Sequence, residues 1–428
     1  MNSTEAFRVP SFACRHCGAT VVLPFADLGM TPLCQTQIAP EDFDKPERYF
    51  PLQAYVCTQC WLVQLRDCIS SGDVFTENYP YFSSYSSSWV QHAKCYVDRM
   101  VGQLGLSASS LVVELASNDG YLLQHFAPHA VPVLGVEPSR SVAEAAQRKG
   151  IRTETCFFGR DTARALRDVY GAADLVVGNN VLAHVPDIND FVAGVKEVLT
   201  PGGTVTFEFP HLLNLIRFNQ FDTIYHEHFS YLSLHAVQAV FRTAGLALYD
   251  VEELSTHGGS LRVFGQHAGG VLPLSHAVAA LLEKERIAGM LDGHVYARFA
   301  EQACASKRDI LSFLIDARRR GKRVAGYGAP GKGNTLLNFC GIGTDLIDFT
   351  VDANPAKQHT FAPGSRIPIY PPAHVRSMKP DYLFILPWNL KEEIMAQTAY
   401  IREWGGQWVT PIPEPRVWTE PVAPVQEG

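Results

Sequence analysis

Residues 111–120 read Leu-Val-Val-Glu-Leu-Ala-Ser-Asn-Asp-Gly, a short apolar run that passes into a polar loop ending in glycine. A buried parallel strand followed by a turn has this pattern. Similar runs follow at 133–137, 175–177 and 205–209. Helical stripes lie between them, and one, behind Asp187 as a plausible cap, comprises Ile188, Phe191, Val192, Val195 and Leu199. This alternation predicts an α/β fold with a doubly wound parallel sheet covered on both faces.

Composition narrows the class of protein further. The chain has 428 residues, enough for two or three domains of roughly 150 residues. Its formal charge of -7 argues against a general nucleic-acid binder, which needs a basic surface. No segment approaches the ~20 apolar residues of a membrane span, and the N-terminus lacks the features of a signal peptide. We therefore expect a cytoplasmic protein whose ten cysteines are thiols or metal ligands.

Changes in composition and in the apolar pattern along the chain predict the domain organisation. Residues 1–70 are rich in cysteine, and residues 71–270 carry the alternating pattern described above. Residues 275–410 begin with a helical stretch and then alternate again, which predicts a second, Rossmann-like domain. The Pro-rich tail at 411–428 is expected to be extended.

Two Cys-x-x-Cys pairs are the clearest local motif. Cys14 and Cys17 form the first pair, and Cys57 and Cys60 the second. Four thiolates with this spacing can surround Zn²⁺ in a tetrahedron without an open position, which predicts a structural zinc site. Gly18 fits the tight turn of such a knuckle. The alternatives are a redox-active Cys-x-x-Cys motif or four unrelated buried thiols.

The loop after the first strand is predicted to bind a cofactor, because ligands of doubly wound sheets lie beyond the carboxyl ends of the strands. Glu114, Ala116, Asn118 and Gly120 line this loop, and its small residues let a ligand approach the backbone. The loop lacks the Gly-x-Gly-x-x-Gly spacing of a pyrophosphate binder. Glu137 ends the next strand, 23 residues after Glu114, where a carboxylate can accept both hydroxyls of an adenosine ribose.

Asn179 and Asn180 end a third strand and could contact a methionine moiety or the substrate. An acidic loop, an acidic strand end and no phosphate-binding glycines together suggest S-adenosylmethionine (SAM) as the cofactor. The alternative is a set of capped turns in an α/β fold that binds no nucleotide.

Several motifs, in order, resemble one known family, and the resemblance spans about residues 12–415. It is the family of zinc-containing, SAM-dependent sugar-nucleotide C-methyltransferases, with a class I (Rossmann-like) methyltransferase core. Besides the cysteine pairs, the motifs are Tyr79–Ser84, Glu114–Gly120, Asn180–His184, Tyr225–His228, Thr256–Ser260 and Gly331–Thr335. The resemblance implies methyl transfer to C3 of a 4-keto-deoxysugar carried on a nucleoside diphosphate.

The resemblance also implies catalytic roles. A carbon next to a ketone becomes nucleophilic when a base removes its proton and a donor stabilises the enolate oxygen. Histidine titrates near neutrality, and the family likeness assigns His228 as the base, with Glu227 orienting substrate or base. Tyr225, Tyr79 and His184 are the implied partners that bind the sugar and polarise its ketone.

Other interpretations of these residues stay open. His226 and His228 have the i, i+2 spacing of metal ligands on a strand, and the segment could also be a solvated loop. His184 taken alone could be a core histidine with its hydrogen bonds satisfied. The aromatic and hydroxyl-rich stretch 79–89 suits a wall or lid for a sugar, or a polar linker.

In the C-terminal region, residues 326–335 follow a strand and precede a helix. Backbone N–H groups and Lys332 could hold an anion there, and Lys332 and Asn334 are predicted to bind the nucleoside diphosphate. The family pattern commonly has alanine at the positions of Pro330 and Gly331, and we expect this departure to change the shape of the loop. The alternative is a Rossmann-like domain used only for packing.

The sequence therefore predicts a SAM-dependent C-methyltransferase that acts on a small nucleotide-linked keto sugar and binds neither nucleic acid nor membrane. One alternative is an O- or N-methyltransferase of another small metabolite, and another is a zinc- and nucleotide-binding protein without catalysis. The identity of the sugar and its base, the stereochemistry and the oligomeric state stay open, a monomer being one option.

Overall fold

The structure is a computed structural model that describes residues 11–66, 69, 72 and 82–421. The chain divides into two compact units, which are described separately below. The first comprises residues 1–23, 55–213 and 227–293, and the second comprises residues 24–54, 214–226 and 294–428. The domain boundaries expected near residues 70 and 275 stay a prediction.

The strands follow one another in chain order across both units. They are β1 (Phe12–Ala13), β2 (Thr20–Val21), β3 (Leu23–Thr31), β4 (Phe50–Val56), β5 (Val63–Leu65), β6 (Val112–Leu115), β7 (Val133–Val136), β8 (Thr153–Glu154), β9 (Ala173–Asn179), β10 (Leu199–Pro210), β11 (Ser230–Tyr231), β12 (Leu246–Leu254), β13 (Ser260–His267), β14 (Val324–Tyr327), β15 (Thr350–Val351), β16 (Thr360–Phe361), β17 (Pro368–Tyr370), β18 (Tyr382–Ile385), β19 (Gln407–Thr410) and β20 (Arg416–Trp418).

The α-helices are numbered separately. They are α1 (Ser87–Leu104), α2 (Arg140–Arg148), α3 (Arg160–Tyr170), α4 (Ile188–Val198), α5 (Leu212–Arg217), α6 (Leu234–Ala244), α7 (His276–Ile287), α8 (Gly293–Arg319), α9 (Gly331–Cys340), α10 (His374–Met378) and α11 (Lys391–Gln397).

The first unit is built on a seven-stranded sheet of order β12-β13-β10-β9-β6-β7-β8. The five strands from β10 to β8 are parallel, and β13 and β12 are antiparallel additions at one edge. The strand runs predicted from the sequence are confirmed at β6, β7, β9 and β10. Parallel pairing places the carboxyl ends of these four strands at one edge of the sheet.

Both faces of this sheet are covered, as predicted. Val112 and Val177 pack with Tyr96 and Met100 of α1 in one apolar cluster. Val113 and Val176, their neighbours along the strands, belong to a second cluster that includes the apolar residues of α4. Successive strand residues point to opposite faces, so runs of buried valine require helices on both sides.

The predicted start of α4 is also confirmed. The Asp187 carboxylate accepts a hydrogen bond from the backbone N–H of Asp190 at 2.9 Å. This bond satisfies one of the donors that the first turn of a helix leaves unpaired.

The second unit contains another seven-stranded sheet, of order β16-β17-β15-β14-β18-β19-β20. Its five central strands are parallel, which supports the predicted Rossmann-like topology. Within the apolar stretch 347–351, only Thr350–Val351 forms a strand. Within the Pro-rich tail, Arg416–Trp418 pairs antiparallel with β19.

We find no helix in the described part of the chain with the length and apolarity that crossing a membrane requires.

Candidate functional site

The four predicted cysteine ligands converge in the first unit. The Sγ atoms of Cys14, Cys17, Cys57 and Cys60 all lie within 4.8 Å of one another, with 3.6 Å between Cys14 and Cys60 and 3.5 Å between Cys17 and Cys57. Ligands at the usual Zn–S distance of about 2.3 Å would be about 3.8 Å apart in a tetrahedron. The cluster therefore fits a zinc ion held by four thiolates, with no open position for catalysis.

Hydrogen bonds organise this cluster. The bond between Cys14 and Cys60 lowers the pKa of the Cys14 thiol and raises that of the Cys60 thiol, because the two sulfurs share one proton in the absence of a metal. Gln64 donates from Nε2 to Cys14 Sγ at 3.1 Å and accepts the backbone N–H of Arg15 at 2.9 Å. The Arg15 guanidinium in turn donates to the carbonyls of Leu65 and Pro186, at 2.8 Å each. Through Arg15 the first knuckle is attached to the loop before α4.

The predicted cofactor loop has an unusual backbone. Ala116, Asn118 and Gly120 all have positive φ, at 54°, 49° and 76°. Non-glycine residues adopt this region at a cost, and such residues cluster at ligand sites. At Gly120 a Cβ atom would lie 2.3 Å from the Ile151 side chain, so no other residue fits there without a shift.

Glu137, the next predicted residue, ties this loop to the following one. Its carboxylate accepts the backbone N–H of Asn118 at 3.0 Å and that of Ser139 at 2.9 Å, one on each oxygen. A carboxylate oxygen has a second lone pair, so both oxygens keep capacity for a ligand hydroxyl. Burial raises the pKa of Glu137 to about 7.

Buried polar atoms at the same sheet edge lack protein partners. Glu114 Oε2, Asn179 Oδ1 and Asn180 Oδ1 have no hydrogen-bond partner among the described residues. Burial also raises the pKa of Glu114 well above its ordinary value. Buried polar groups are normally paired, so these atoms fit a ligand that carries hydroxyl and amino groups, as SAM does.

The stretch between the cysteine-rich region and the first sheet reaches this loop. The backbone N–H of Ser83 donates to Asn118 Oδ1 at 2.8 Å, and the Ser84 hydroxyl bonds to the Asp119 carboxylate. These contacts support the interpretation of this segment as a wall over the loop. Tyr79, which begins the motif, lies outside the described residues.

The predicted histidines His184 and His228 lie together. Their ring centroids are 4.6 Å apart at 80°, and Tyr231 lies 6.1 Å from His228. His184 ends a short 3₁₀ turn, Leu182–His184, directly after β9, which puts the pair at the carboxyl edge of the sheet. Burial lowers the pKa of His184 to about 4, so its imidazole is neutral at pH 7. Glu227, next to His228, is buried.

Tyr225 and His226 belong to the second unit. Tyr225 is half-buried, and the His226 Nε2 atom lies 3.3 Å from the Pro51 carbonyl. Within the described residues, the four cysteines are the only group of three or more side chains placed to hold a metal ion. A metal site built on His226 and His228 therefore receives no support.

The second unit contains a buried cluster around Lys332. The Lys332 ammonium donates to Asn389 Oδ1 at 2.8 Å and lies 4.7 Å from the centre of the Trp388 ring. The Trp388 indole donates to Asp222 Oδ2 at 2.7 Å, and burial raises the pKa of Asp222 to about 6. Burial lowers the pKa of Lys332. Asn334, also predicted to bind substrate, donates from Nδ2 to the Cys34 carbonyl at 2.7 Å, and its Oδ1 atom has no partner among the described residues.

The sequence interpretation missed a second polar cluster in the first unit. Glu208 is fully buried in β10 and accepts hydrogen bonds from Arg262, His92 and Thr256, at 2.6, 2.9 and 2.8 Å. The available signal was a lone carboxylate within the apolar run 205–209. A buried charge of this kind requires partners from elsewhere in the chain.

Comparisons with known proteins agree with this architecture. A family model described as "C-methyltransferase C-terminal domain" matches residues 255–413, one described as "Putative zinc binding domain" matches residues 14–75, and one described as "Methyltransferase domain" matches residues 90–251. The chain is 39% identical over 411 residues to C-methyltransferase NovU of Streptomyces niveus, covering 95% of this chain and 97% of that one.

Solved structures show weaker likeness. A SAM-dependent methyltransferase from Anabaena variabilis aligns with a TM-score of 0.37 at 13% identity, over 48% of this chain and 98% of that one. Magnesium protoporphyrin IX methyltransferase from Synechocystis aligns with a TM-score of 0.34 at 16% identity, over 41% and 82%. Structural similarities with TM-scores this low do not support a conclusion about fold or activity.

The fold and its sites define a SAM-dependent methyltransferase with a zinc-binding cysteine cluster. The match to NovU extends over nearly the whole of both chains and therefore shows the family as well as the class. The chain belongs to the C-methyltransferase family.

The zinc site can be tested at its exposed ligand. We expect Cys17→Ser to reduce zinc content from about one ion per chain to nearly none, because three thiolates bind zinc far more weakly than four. The melting temperature should fall by several degrees, since metal binding contributes to folding. Elemental analysis and calorimetry measure both. Cys95→Ser, at another exposed cysteine in α1, is the control and should keep zinc. Full zinc content in Cys17→Ser would contradict the assignment.

A second prediction concerns pH. The folded pKa of Glu137, about 7, exceeds its ordinary value, so the unfolded chain releases this proton first and stability falls as pH rises from about 4.5 to 7. The difference corresponds to roughly 3 kcal/mol. We expect Glu137→Gln to flatten this part of the stability curve of the cofactor-free protein, measured by urea unfolding at several pH values. Glu144→Gln, at an exposed residue of α2, should leave the curve unchanged. If stability changed with pH equally in wild type, Glu137→Gln and Glu144→Gln, the raised pKa of Glu137 would be contradicted.

Proposed function

We propose that this C-methyltransferase transfers a methyl group from SAM to C3 of a 4-keto-deoxysugar carried on a nucleoside diphosphate. The observation that carries the proposal is the contact between His184 and His228 at the carboxyl edge of β9. The strand ends in Asn179 and Asn180, whose Oδ1 atoms have no hydrogen-bond partner among the described residues. The sugar and the position of methylation come from the family resemblance of the motifs around these residues.

SAM, when bound, supplies a methyl group on a positively charged sulfur that leaves as a neutral thioether. Glu137 is proposed to accept the ribose hydroxyls on the free lone pairs of its two oxygens. Glu114, Ala116, Asn118 and Gly120 would line the rest of the cofactor, with Asn179 and Asn180 facing its methionine part. The partnerless oxygens of Glu114 and the two asparagines support these roles.

The neighbouring imidazoles suit two different tasks. His228 is proposed to take the proton from C3, and the electron pair of that C–H bond moves toward the ketone oxygen. His184, neutral at pH 7 because of its burial, is proposed to bind the sugar beside that oxygen, while its ring N–H donates to the Glu227 carbonyl. With SAM bound, C3 would accept the methyl group as the thioether leaves, and His228 would then release its proton to water.

Three further residues retain the roles that the resemblance implies. Glu227 is proposed to orient His228 or the substrate, and its burial suits a positioning carboxylate. Tyr225 and Tyr79 are proposed to bind the sugar.

Proton removal before methyl transfer also separates this proposal from an O- or N-methyltransferase. A C–H acid next to a ketone exchanges with solvent deuterium in the presence of its base, whereas methylation at oxygen or nitrogen needs no such step. Exchange at C3 without SAM would therefore support C-methylation.

The half-buried Lys332 of the second unit supports a site for the diphosphate. Lys332, the second residue of α9, lies near the N-terminus of that helix, where anions are stabilised. A lysine whose burial lowers its pKa gains from an anionic ligand that restores the charged form.

Replacement of the base is the first test. We expect His228→Ala to lower turnover of a nucleotide-linked 4-keto sugar by at least about a hundredfold and to abolish deuterium exchange at C3, with SAM affinity retained. Mass spectrometry follows exchange and calorimetry follows binding. His235→Ala, which leaves the backbone N–H of α6 in place, is the matched histidine control. Turnover equal to wild type in His228→Ala would exclude this residue as the base.

The diphosphate site is tested separately. We expect Lys332→Met to raise KM for the sugar nucleotide by about tenfold or more, because an ion pair with phosphate is lost. Affinity for SAM and exchange at saturating substrate should change little. Lys322→Met, which removes an exposed ion pair with Asp381, controls for loss of a lysine in the same unit. An unchanged KM in Lys332→Met would remove this residue from the substrate site.

A further inference from the structure

The turn between β12 and β13 has a backbone that its sequence does not readily accept. His257, Gly258 and Gly259 have successive positive φ angles of 55°, 87° and 112°. Glycine adopts such angles freely, whereas a histidine does so at a cost that the surrounding structure must impose. Strained residues of this kind cluster at functional sites.

Strand directions place this turn at the edge where the cofactor loop lies. Ser260, the first residue of β13, pairs with Pro210, the last residue of β10, and Leu254 at the end of β12 pairs with Ser260. β10 runs parallel to β9, with Glu208 beside Asn179. The turn is therefore at the carboxyl edge of the parallel strands, where ligands of this fold bind.

A buried ion pair anchors the turn. The Thr256 hydroxyl donates to Glu208 Oε1 at 2.8 Å, while Glu208 Oε2 accepts from Arg262 at 2.6 Å and from His92 at 2.9 Å. Burial alone would raise the pKa of Glu208, but the His92 hydrogen bond and the Arg262 charge lower it to about 2, so the carboxylate stays ionised. The Glu208 carbonyl also accepts the backbone N–H of Asn180 at 2.7 Å. One residue thus connects the turn to the end of β9.

Aromatic contacts connect the turn to the cofactor loop as well. The His257 ring meets the Trp89 ring edge to face, with 4.9 Å between centroids. Trp89 stacks on Tyr121 at 5.9 Å, and Asn179 Nδ2 lies 3.4 Å from the Tyr121 hydroxyl. Tyr121 directly follows Gly120, so the contacts of His257 lead to the cofactor side of the site.

We propose that the turn Thr256–Gly259 is part of the methyl-transfer site and that His257 is a positioning residue, which holds Trp89 in the wall that aligns the acceptor carbon with the methyl group. This inference rests on the proposed function. The contacts of His257 lead to Tyr121 and Asn179 on the cofactor side. The step that depends on His257 is therefore methyl transfer and not the removal of the C3 proton. Small misalignments at the reacting atoms cost large factors in rate.

His257→Gly provides the decisive test, because it relieves the backbone strain and removes the ring at once. The variant should melt at the same temperature as wild type or higher, while turnover falls by about tenfold or more. SAM affinity should stay within about threefold, and deuterium exchange at C3 should continue. A merely structural role would instead lower the melting temperature and reduce exchange and transfer together.

Ala130→Gly is the matched control. Ala130 is exposed, has a φ of 52° in the same unit, and ends the 3₁₀ helix Leu123–His129. Relief of its strain should raise the melting temperature without a change in turnover. His257→Asn separates ring from backbone, because asparagine tolerates positive φ, and it should lose turnover as the glycine variant does.

Thr256→Val keeps the size of the side chain and removes its hydrogen bond to Glu208. It should lower turnover several-fold with exchange retained, and it provides a second measurement if a His257 variant does not fold. Wild-type turnover in Thr256→Val and in every folded His257 variant would overturn the inference. Wild-type protein that neither exchanges nor methylates any nucleotide-linked 4-keto sugar would overturn the proposed function, and the inference would fall with it.

Discussion

The parallel pairing of β6, β7, β9 and β10 is the constraint on which the rest of the first unit depends. Four parallel strands end at one edge, so the residues that follow them meet there although they are far apart in the sequence. Glu114, Glu137 and Asn179 reach this edge from three strands, and Glu208 lies at the end of the fourth. The sheet thereby brings these polar groups together at its carboxyl edge.

The same burial gives the acidic groups at this edge opposite properties. Burial and the neighbouring carboxylates of Glu137 and Asp119 raise the pKa of Glu114, and burial of Glu137 outweighs the hydrogen bonds that its carboxylate accepts. Glu208 has a lowered pKa because Arg262 and His92 are close enough to outweigh burial. Glu114 and Glu137 suit a site in which a ligand supplies the missing hydrogen-bond partners. The protein itself supplies all the partners of Glu208, which suits a fixed anchor.

Much of the fold followed from local patterns. Buried parallel strands are recognisable as short apolar runs in the sequence. The apolar stripe behind Asp187 predicted the extent of α4 to within one residue of its end. Two Cys-x-x-Cys spacings predicted the metal cluster, since four thiols so arranged have few other uses. Local spacing could not predict the contacts of Asn334, whose amide bonds the Cys34 carbonyl about 300 residues away in sequence.

The sequence by itself determined the fold class, the zinc ligands and the strand ends that carry polar residues, because periodicity and spacing act over a few residues at a time. Only the tertiary structure decided which of those residues meet. It brought the rings of His184 and His228 together, surrounded Glu208 with three donors and enclosed Lys332 beside Trp388. Such contacts depend on the packing of distant segments, and the pKa of a buried group follows from that packing and not from its neighbours in the chain.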